Sequence, residues 1–501
     1  MAQVARTASF PAPIGGLNAR DPLAGMPATD AVILENWFPT PTNVVIRKGW
    51  VEWCTGFANP VETLMSYAPT TGAYQLFAAS GTSFYDVTTQ GVVGAAVVTG
   101  LGNAQWQYTN IVTPGGSFLW CVNGVDGPRM YNGSAWSVPA VTGVTLTSLA
   151  NVCVFGNRLF MVEKNTLKVW YLAVQSIAGA ATAFDLSTIF SLGGYLMAMG
   201  TWSVDAGNGM NDLAVFVSSE GQVAIYQGVD PASWTKQGVY NVGRPIGRKC
   251  LSKFAGDCLL LCEDGLLPLS KALQSSTIDR SVAITNKIQN EIANNITLYS
   301  SNYGWQTQLY SDANQLYLNV PVTGNYSNFQ FVQNTITGAW TTFTGMNARC
   351  WETTGTNLWF GNANAVCKAW FGQFDNTAQI QADALPAYQD FKYRAANKYF
   401  TMVRPALVAD GTPSILFGLD LDFLNTEAAG ALSYIPTPGA MIWGTMVWGS
   451  MIWGGSLRQI SSWQTVGGVG YYGAIRLTIQ ANGSQVQWNA TDYVYQTGGV
   501  L

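Results

Sequence analysis

Leu76–Val87 (LFAASGTSFYDV), Leu119–Tyr131 (LWCVNGVDGPRMY) and Leu159–Tyr171 (LFMVEKNTLKVWY) are three copies of one loose pattern. A short strand opens with Leu, often with an aromatic beside it. A polar turn follows, then a second strand ending in aromatics. Later copies are LAVFVSSEGQVAIY from Leu213, LLLCEDGLLPL from Leu259, LYLNVPVTGNYSNFQF from Leu316 and LWFGNANAVCKAWF from Leu358. Successive copies start 40 to 57 residues apart. Hairpins recurring at roughly 40–50 residues, with no helix between them, mark a β-propeller in which each repeat supplies one blade. Turn chemistry sits where each hairpin needs it, as in Ser80-Gly81, Asn123-Gly124, Lys164-Asn165, Glu220-Gly221, Asp264-Gly265 and Thr323-Gly324. Three copies close on a Trp after a polar turn, at Trp136, Trp234 and Trp340. A bulky ring at that recurring place would fill the wedge between neighbouring sheets. The expectation is a mainly all-β chain holding a propeller of about seven blades, with six to eight open and a β-sandwich array as the competing arrangement.

Outside the repeat the texture changes twice. Ile284, Ile288, Ile292 and Ile296 recur at four-residue steps, which predicts a helix near 281–298. Such a helix either lies against a blade or reaches a neighbouring subunit. Beyond about residue 390, two alternating strands meet around Asp410-Gly411, so 391–501 reads as a separate β-sandwich-like domain. The propeller is thus expected over 61–390, after a segment spanning 1–60. Asp420 and Asp422 would share a strand face, either as an acid/base pair or, more simply, as the wet side of the strand. In MIWGTMVWGSMIWGG, residues 441–455, Trp443, Trp448 and Trp453 recur every five residues. They form either an apolar edge that docks on a partner or lipid, or an internal ladder of rings.

Composition narrows the function. The 501 residues include no histidine, which removes imidazole bases, His-ligated metals and His-based pH switches. Only 10% of residues are charged, and Lys+Arg 24 against Asp+Glu 28 gives a net charge of −4, the opposite of a phosphate-gripping protein. So few like charges favour self-association, which suits a part of an assembly. No signal-peptide core precedes the first prolines, and the longest apolar stretch, Val92–Leu101, is too short to span a bilayer. Eight scattered cysteines suggest a reduced, cytosol-made chain in which the sequons at Asn132, Asn295, Asn325, Asn482 and Asn489 are idle. No phosphate-binding GxxxxGK[ST] loop occurs. Cys258 and Cys262 read as core, and Asp205–Asp212 lacks the order of a calcium loop. No cofactor, metal or catalytic residue is assigned.

Gly16-Leu17-Asn18-Ala19-Arg20-Asp21, then Glu35-Asn36-Trp37-Phe38-Pro39, then Arg47-Lys48-Gly49 follow in order near the start. Near the end come Arg404-Pro405, the Trp-Gly tandem from Trp443, Trp463, and Trp488-Asn489-x-x-Asp492 before Gly498-Gly499. This order resembles the tail nozzle proteins of short-tailed DNA bacteriophages, the group also called tail tubular protein B-like or DNA-stabilisation proteins. The resemblance is strong at both ends and one of style in the middle. It implies a non-enzymatic virion protein, made in the host cytoplasm, that forms a homo-hexameric ring below a head-to-tail adaptor ring. Such a ring conducts and gates double-stranded DNA without gripping it and can carry tail fibres or tailspikes; membrane contact would arise only at host entry. The segment 1–60 would join the C-terminal domain in a platform, and the interface candidates Arg20, Asp21, Trp37, Arg47 and Lys48 would sit in its ring-forming or adaptor-facing part, unless Arg20-Asp21 and Arg47-Lys48 merely punctuate turns. Trp443, Trp448 and Trp453 would pack the C-terminal domain or its subunit boundary. The alternative is a propeller that binds or cleaves glycans in host recognition.

Overall fold

A computed structural model of the chain describes residues 5–205, 210–272, 280–323, 327–434 and 457–498. The chain divides into two compact units that do not follow the linear boundaries expected at 60 and 390. One unit comprises Glu52–Phe329 and Asn347–Lys368, the other Met1–Val51, Gln330–Met346 and Ala369–Leu501.

The first unit is a β-propeller. Five antiparallel sheets follow one another along the chain. Their opening strands are Val61–Tyr67, Gln107–Thr113, Leu149–Phe155, Leu196–Asp205 and Leu251–Phe254. Five self-contained blades replace the seven expected. The last two copies of the repeat lie in composite sheets instead. The copy at Leu316 contributes the hairpin Gln306–Tyr310 and Gln315–Val320. The copy at Leu358 forms Cys350–Thr354, Asn357–Gly361 and Ala365–Ala369, in a sheet that also takes in Trp50–Thr55 from the start of the chain.

Apolar clusters sit between successive sheets, which explains why the second strands read as continuous hydrophobic runs. In Leu213-Ala-Val-Phe-Val217, Ala214 and Phe216 pack with the third blade, whereas Val215 and Val217 pack with the fifth. Cys258, Leu260 and Cys262 share one face in the same manner and are buried. A cluster including Val61, Leu64, Cys350 and Trp359 joins the first blade to the last sheet. Trp136 fills the wedge between its own blade and the first, with ring centroids 5.1 Å from Phe77 and 5.0 Å from Phe84. Trp234 does the same between the third and fourth blades, 5.4 Å from Phe160 and 5.7 Å from Phe216. Trp340 departs from this pattern, since it belongs to the second unit. At the turn of the fourth blade, Gly221 has φ +79°, and a Cβ there would stand 2.3 Å from the Val242 carbonyl oxygen. No side chain fits that turn.

The helix starts later than the isoleucine spacing predicts. It runs Gln289–Tyr299, after 3₁₀ turns at Arg280–Val282 and Asn286–Ile288. The Ile284 N–H donates to the Leu266 carbonyl, and Thr285 Oγ1 accepts from the Leu266 N–H at 3.1 Å, so this stretch of chain is tied to a blade strand. Ile288, Ile292 and Ile296 are buried, and the helix packs on the strand Gly265–Pro268. No helix among the described residues is long and apolar enough to cross a membrane.

The second unit holds two facing sheets. In one, the long strand Val486–Thr497 pairs with Arg6–Pro11, Val44–Ile46 and Lys398–Ala409. The other runs through Phe329–Asn334, Trp340–Phe343, Asp30–Glu35, Gln381–Pro386, Gly473–Gln480 and Ser414–Leu421. The Ile475 N–H donates across to Tyr493 Oη at 3.1 Å. Asp420 and Asp422 do not form the wet side of a strand. Asp420 is buried and accepts from the Asn425 N–H, while Asp422, just past the strand, accepts from the N–H groups of Tyr471 and Tyr472. Each carboxylate holds a loop.

Candidate functional site

Two places collect the polar side chains that could serve a function: the cluster formed by the end motifs, and the centre of the propeller. In the first motif, Gly16 has φ +80°, and a Cβ would lie 2.5 Å from the Trp340 carbonyl oxygen. Asn18 Oδ1 accepts from the N–H groups of Arg20 and Asp21, and its Nδ2 donates to Asp21 and Asp30. Arg20 is exposed and pairs with Asp21 at 2.8 Å, a hydrogen bond that raises its already high pKa. An exposed pair of chain neighbours contributes little to stability, so Arg20 is available to a partner.

Trp37 and Arg47 are not. Both are wholly buried within their own unit, where their side chains serve its packing. The Trp37 ring packs on Trp488 at 6.0 Å. The Arg47 guanidinium forks onto Asp375 at 2.8 and 2.6 Å and donates to Asn36 Oδ1 at 2.7 Å. Lys48 points outward, its ammonium 6.0 Å from the Trp370 ring centroid. Gly49 is fixed by close approach, because a Cβ there would stand 1.8 Å from the Phe374 carbonyl oxygen. At the far end, Arg404 lies directly opposite Asp492 across two strands, pairs with it at 2.6 Å, and stacks over Trp463 at 4.7 Å. Trp443, Trp448 and Trp453 lie outside the described residues.

The centre of the propeller carries no sequence motif. The strands Gln107–Thr113, Leu149–Phe155, Leu196–Asp205, Leu251–Phe254 and Gln306–Tyr310, with Glu352, line a cavity of about 610 Å³. Hydrogen bonds tie neighbouring strands around it. Asn110 Nδ2 donates to the Ser66 carbonyl at 2.9 Å, the Met199 N–H to Asn151 Oδ1 at 3.2 Å, and Gln306 Nε2 to the Trp351 carbonyl at 2.8 Å. Glu352 is buried and accepts from Tyr108 Oη, from Ser66 Oγ at 3.3 Å and from the Thr353 N–H at 3.0 Å. The signal available in the sequence was the run of polar residues in the strand that precedes the repeated Leu, such as Gln306-Thr307-Gln308 ahead of Leu316.

Burial raises the Glu352 carboxyl above its ordinary value near 4.5, against the opposing pull of those hydrogen bonds and of Lys249. The folded protein therefore holds this proton more tightly than the unfolded chain does. The stability this confers is complete below the unfolded pKa and is lost as pH rises through the folded value. Glu352→Gln, which cannot ionise, is expected to flatten the fall in stability as pH rises above the ordinary carboxyl range, followed by urea unfolding. An unchanged slope would mean that Glu352 does not carry it.

No protein-family model matches the chain, and no curated protein is similar enough in sequence to align with it. Solved structures with a similar arrangement include the computationally designed Ika8 protein, 9% identical over 71% of this chain and 98% of that one, with a TM-score of 0.35. Another is BBS1N in complex with ARL6DN, 10% identical over 65% of this chain and 98% of that one, with a TM-score of 0.40. Both likenesses are too distant to bear on what this chain does.

Proposed function

We propose that the chain is a structural subunit of the tail nozzle of a short-tailed bacteriophage. Six copies form a ring below the portal and adaptor, and genomic DNA passes through its lumen during ejection. The observation that supports this reading most is the meeting of the resemblance motifs from both ends of the chain in one compact unit. Motif residues that stand hundreds of positions apart in sequence are in contact there, Trp37 with Trp488. A self-contained unit built from both ends suits a platform, and exposed Arg20, Lys48 and Trp463 suit contacts made by it. The low charge of the whole chain suits a wall past which DNA slides, because phosphate-gripping surfaces are strongly basic.

In this reading the ring binds an adaptor ring above, carries fibres or spikes outside, and performs no catalysis. The expected result is a particle near six times the 53.9 kDa of one chain, formed alone or on adding the adaptor, and sixfold symmetric in electron micrographs. A chain that stays monomeric with its adaptor present overturns the proposal.

A further inference from the structure

In a chain with only 24 cationic side chains, three line the central cavity of the propeller: Arg248, Lys249 and Lys253. A fourth, Arg349, lines the small recess beside Arg248 and Lys249. Arg248 donates to the Met197 carbonyl at 3.2 Å and Lys249 to Gln306 Oε1 at 3.3 Å. Among the described residues none of the four forms an ion pair, although Arg20, Arg47, Arg158, Arg244, Arg404 and Arg476 all do. The one carboxylate in the cavity wall, Glu352, is taken up by Tyr108, Ser66 and Thr353. Arg248 and Lys249 are partly buried without an ion-pair partner, which is costly, and low-dielectric walls concentrate their field on the space they enclose.

We propose that this cavity binds a small oxyanion, a carboxylate or phosphate group borne by a solute of about monosaccharide size. Its volume lies within the range of small-molecule sites, roughly 300–1,000 Å³. Three cations facing one carboxylate leave an excess of two positive charges, which a phosphate dianion neutralises and a carboxylate halves, rather than the many phosphates of a polynucleotide. Two hydroxyls in the wall, Ser252 Oγ and Thr307 Oγ1, meet no hydrogen-bond partner among the described residues. Burial also holds Arg248 and Lys249 below their ordinary pKa values, an effect that a bound anion reverses. The site stands apart from the nozzle reading and does not depend on it.

Isothermal titration of the full-length protein with sodium phosphate, sodium glucuronate and neutral glucose tests the proposal. Saturable one-to-one binding of phosphate or glucuronate, at about millimolar affinity or tighter, with none of glucose, is the expected result. The anion that binds more tightly identifies the group as phosphate or carboxylate. Lys253 is exposed, so Lys253→Gln preserves the fold and should weaken binding several-fold, and Lys249→Gln by about tenfold or more. Absence of saturable binding by both anions overturns the proposal, as does an affinity unchanged in both variants.

Discussion

Arg47→Met is expected to destabilise the unit that contains it by about 3–5 kcal/mol, because it leaves Asp375 buried without its counter-ion. The pair is bidentate at 2.8 and 2.6 Å, and the side chains of Arg47 and Asp375 are 0% and 10% exposed. Arg47 also serves Asn36 Oδ1 and the Lys48 carbonyl, so its loss strands several acceptors together. Arg47→Lys keeps the charge but not the planar fork, and should still cost about 2 kcal/mol. Arg47→Met combined with Asp375→Leu removes both charges and should recover much of the loss, since a buried pair contributes little over apolar packing. Urea unfolding followed by tryptophan fluorescence measures all three. A change below about 1 kcal/mol for Arg47→Met would show that the pair is solvated and contradict its burial.

Trp234→Ala is expected to cost the propeller about 3–5 kcal/mol. The ring lies between two sheets, with Phe155, Phe160 and Phe184 on one side and Phe216 and Tyr226 on the other, all within 5.1 to 5.9 Å. Its Nε1 donates to the Gly228 carbonyl at 3.1 Å, which fixes its orientation. Deleting it opens a cavity that two rigid sheets cannot close by shifting a side chain. Trp234→Phe retains much of the packing and should cost about half as much. Thermal unfolding by circular dichroism measures both, and near-wild-type stability of the alanine variant would mean that the wedge collapses freely.

Much of the fold was legible because it is local. Hairpin turns such as Glu220-Gly221, apolar runs such as Ala214–Val217 and the wedge Trp residues 136 and 234 are determined within one repeat of about 40–50 residues. The motif residues at the two ends were also legible as a set, yet their exposure was not. Arg47 and Lys48 are adjacent in sequence, one fully buried and the other exposed. They lie in the connection between the strands Val44–Ile46 and Trp50–Thr55, where no alternation sets the direction of a side chain and only the tertiary partners, Asp375 for Arg47, decide which is buried.

The amino-acid order alone determined the strand content, the repeat and the inter-blade rings, since alternation and turn chemistry act over a few residues. Tertiary structure decided where the last two copies of the repeat went, which Trp left the propeller, and which ends of the chain pair. It also decided that Arg248, Lys249, Lys253 and Glu352 share one cavity. These are pairings between segments far apart in sequence. Closing a long loop costs little more than closing a medium one, so spacing carries almost no information about them. Burial and hydrogen bonding across sheets select them, and both appear only in the folded chain.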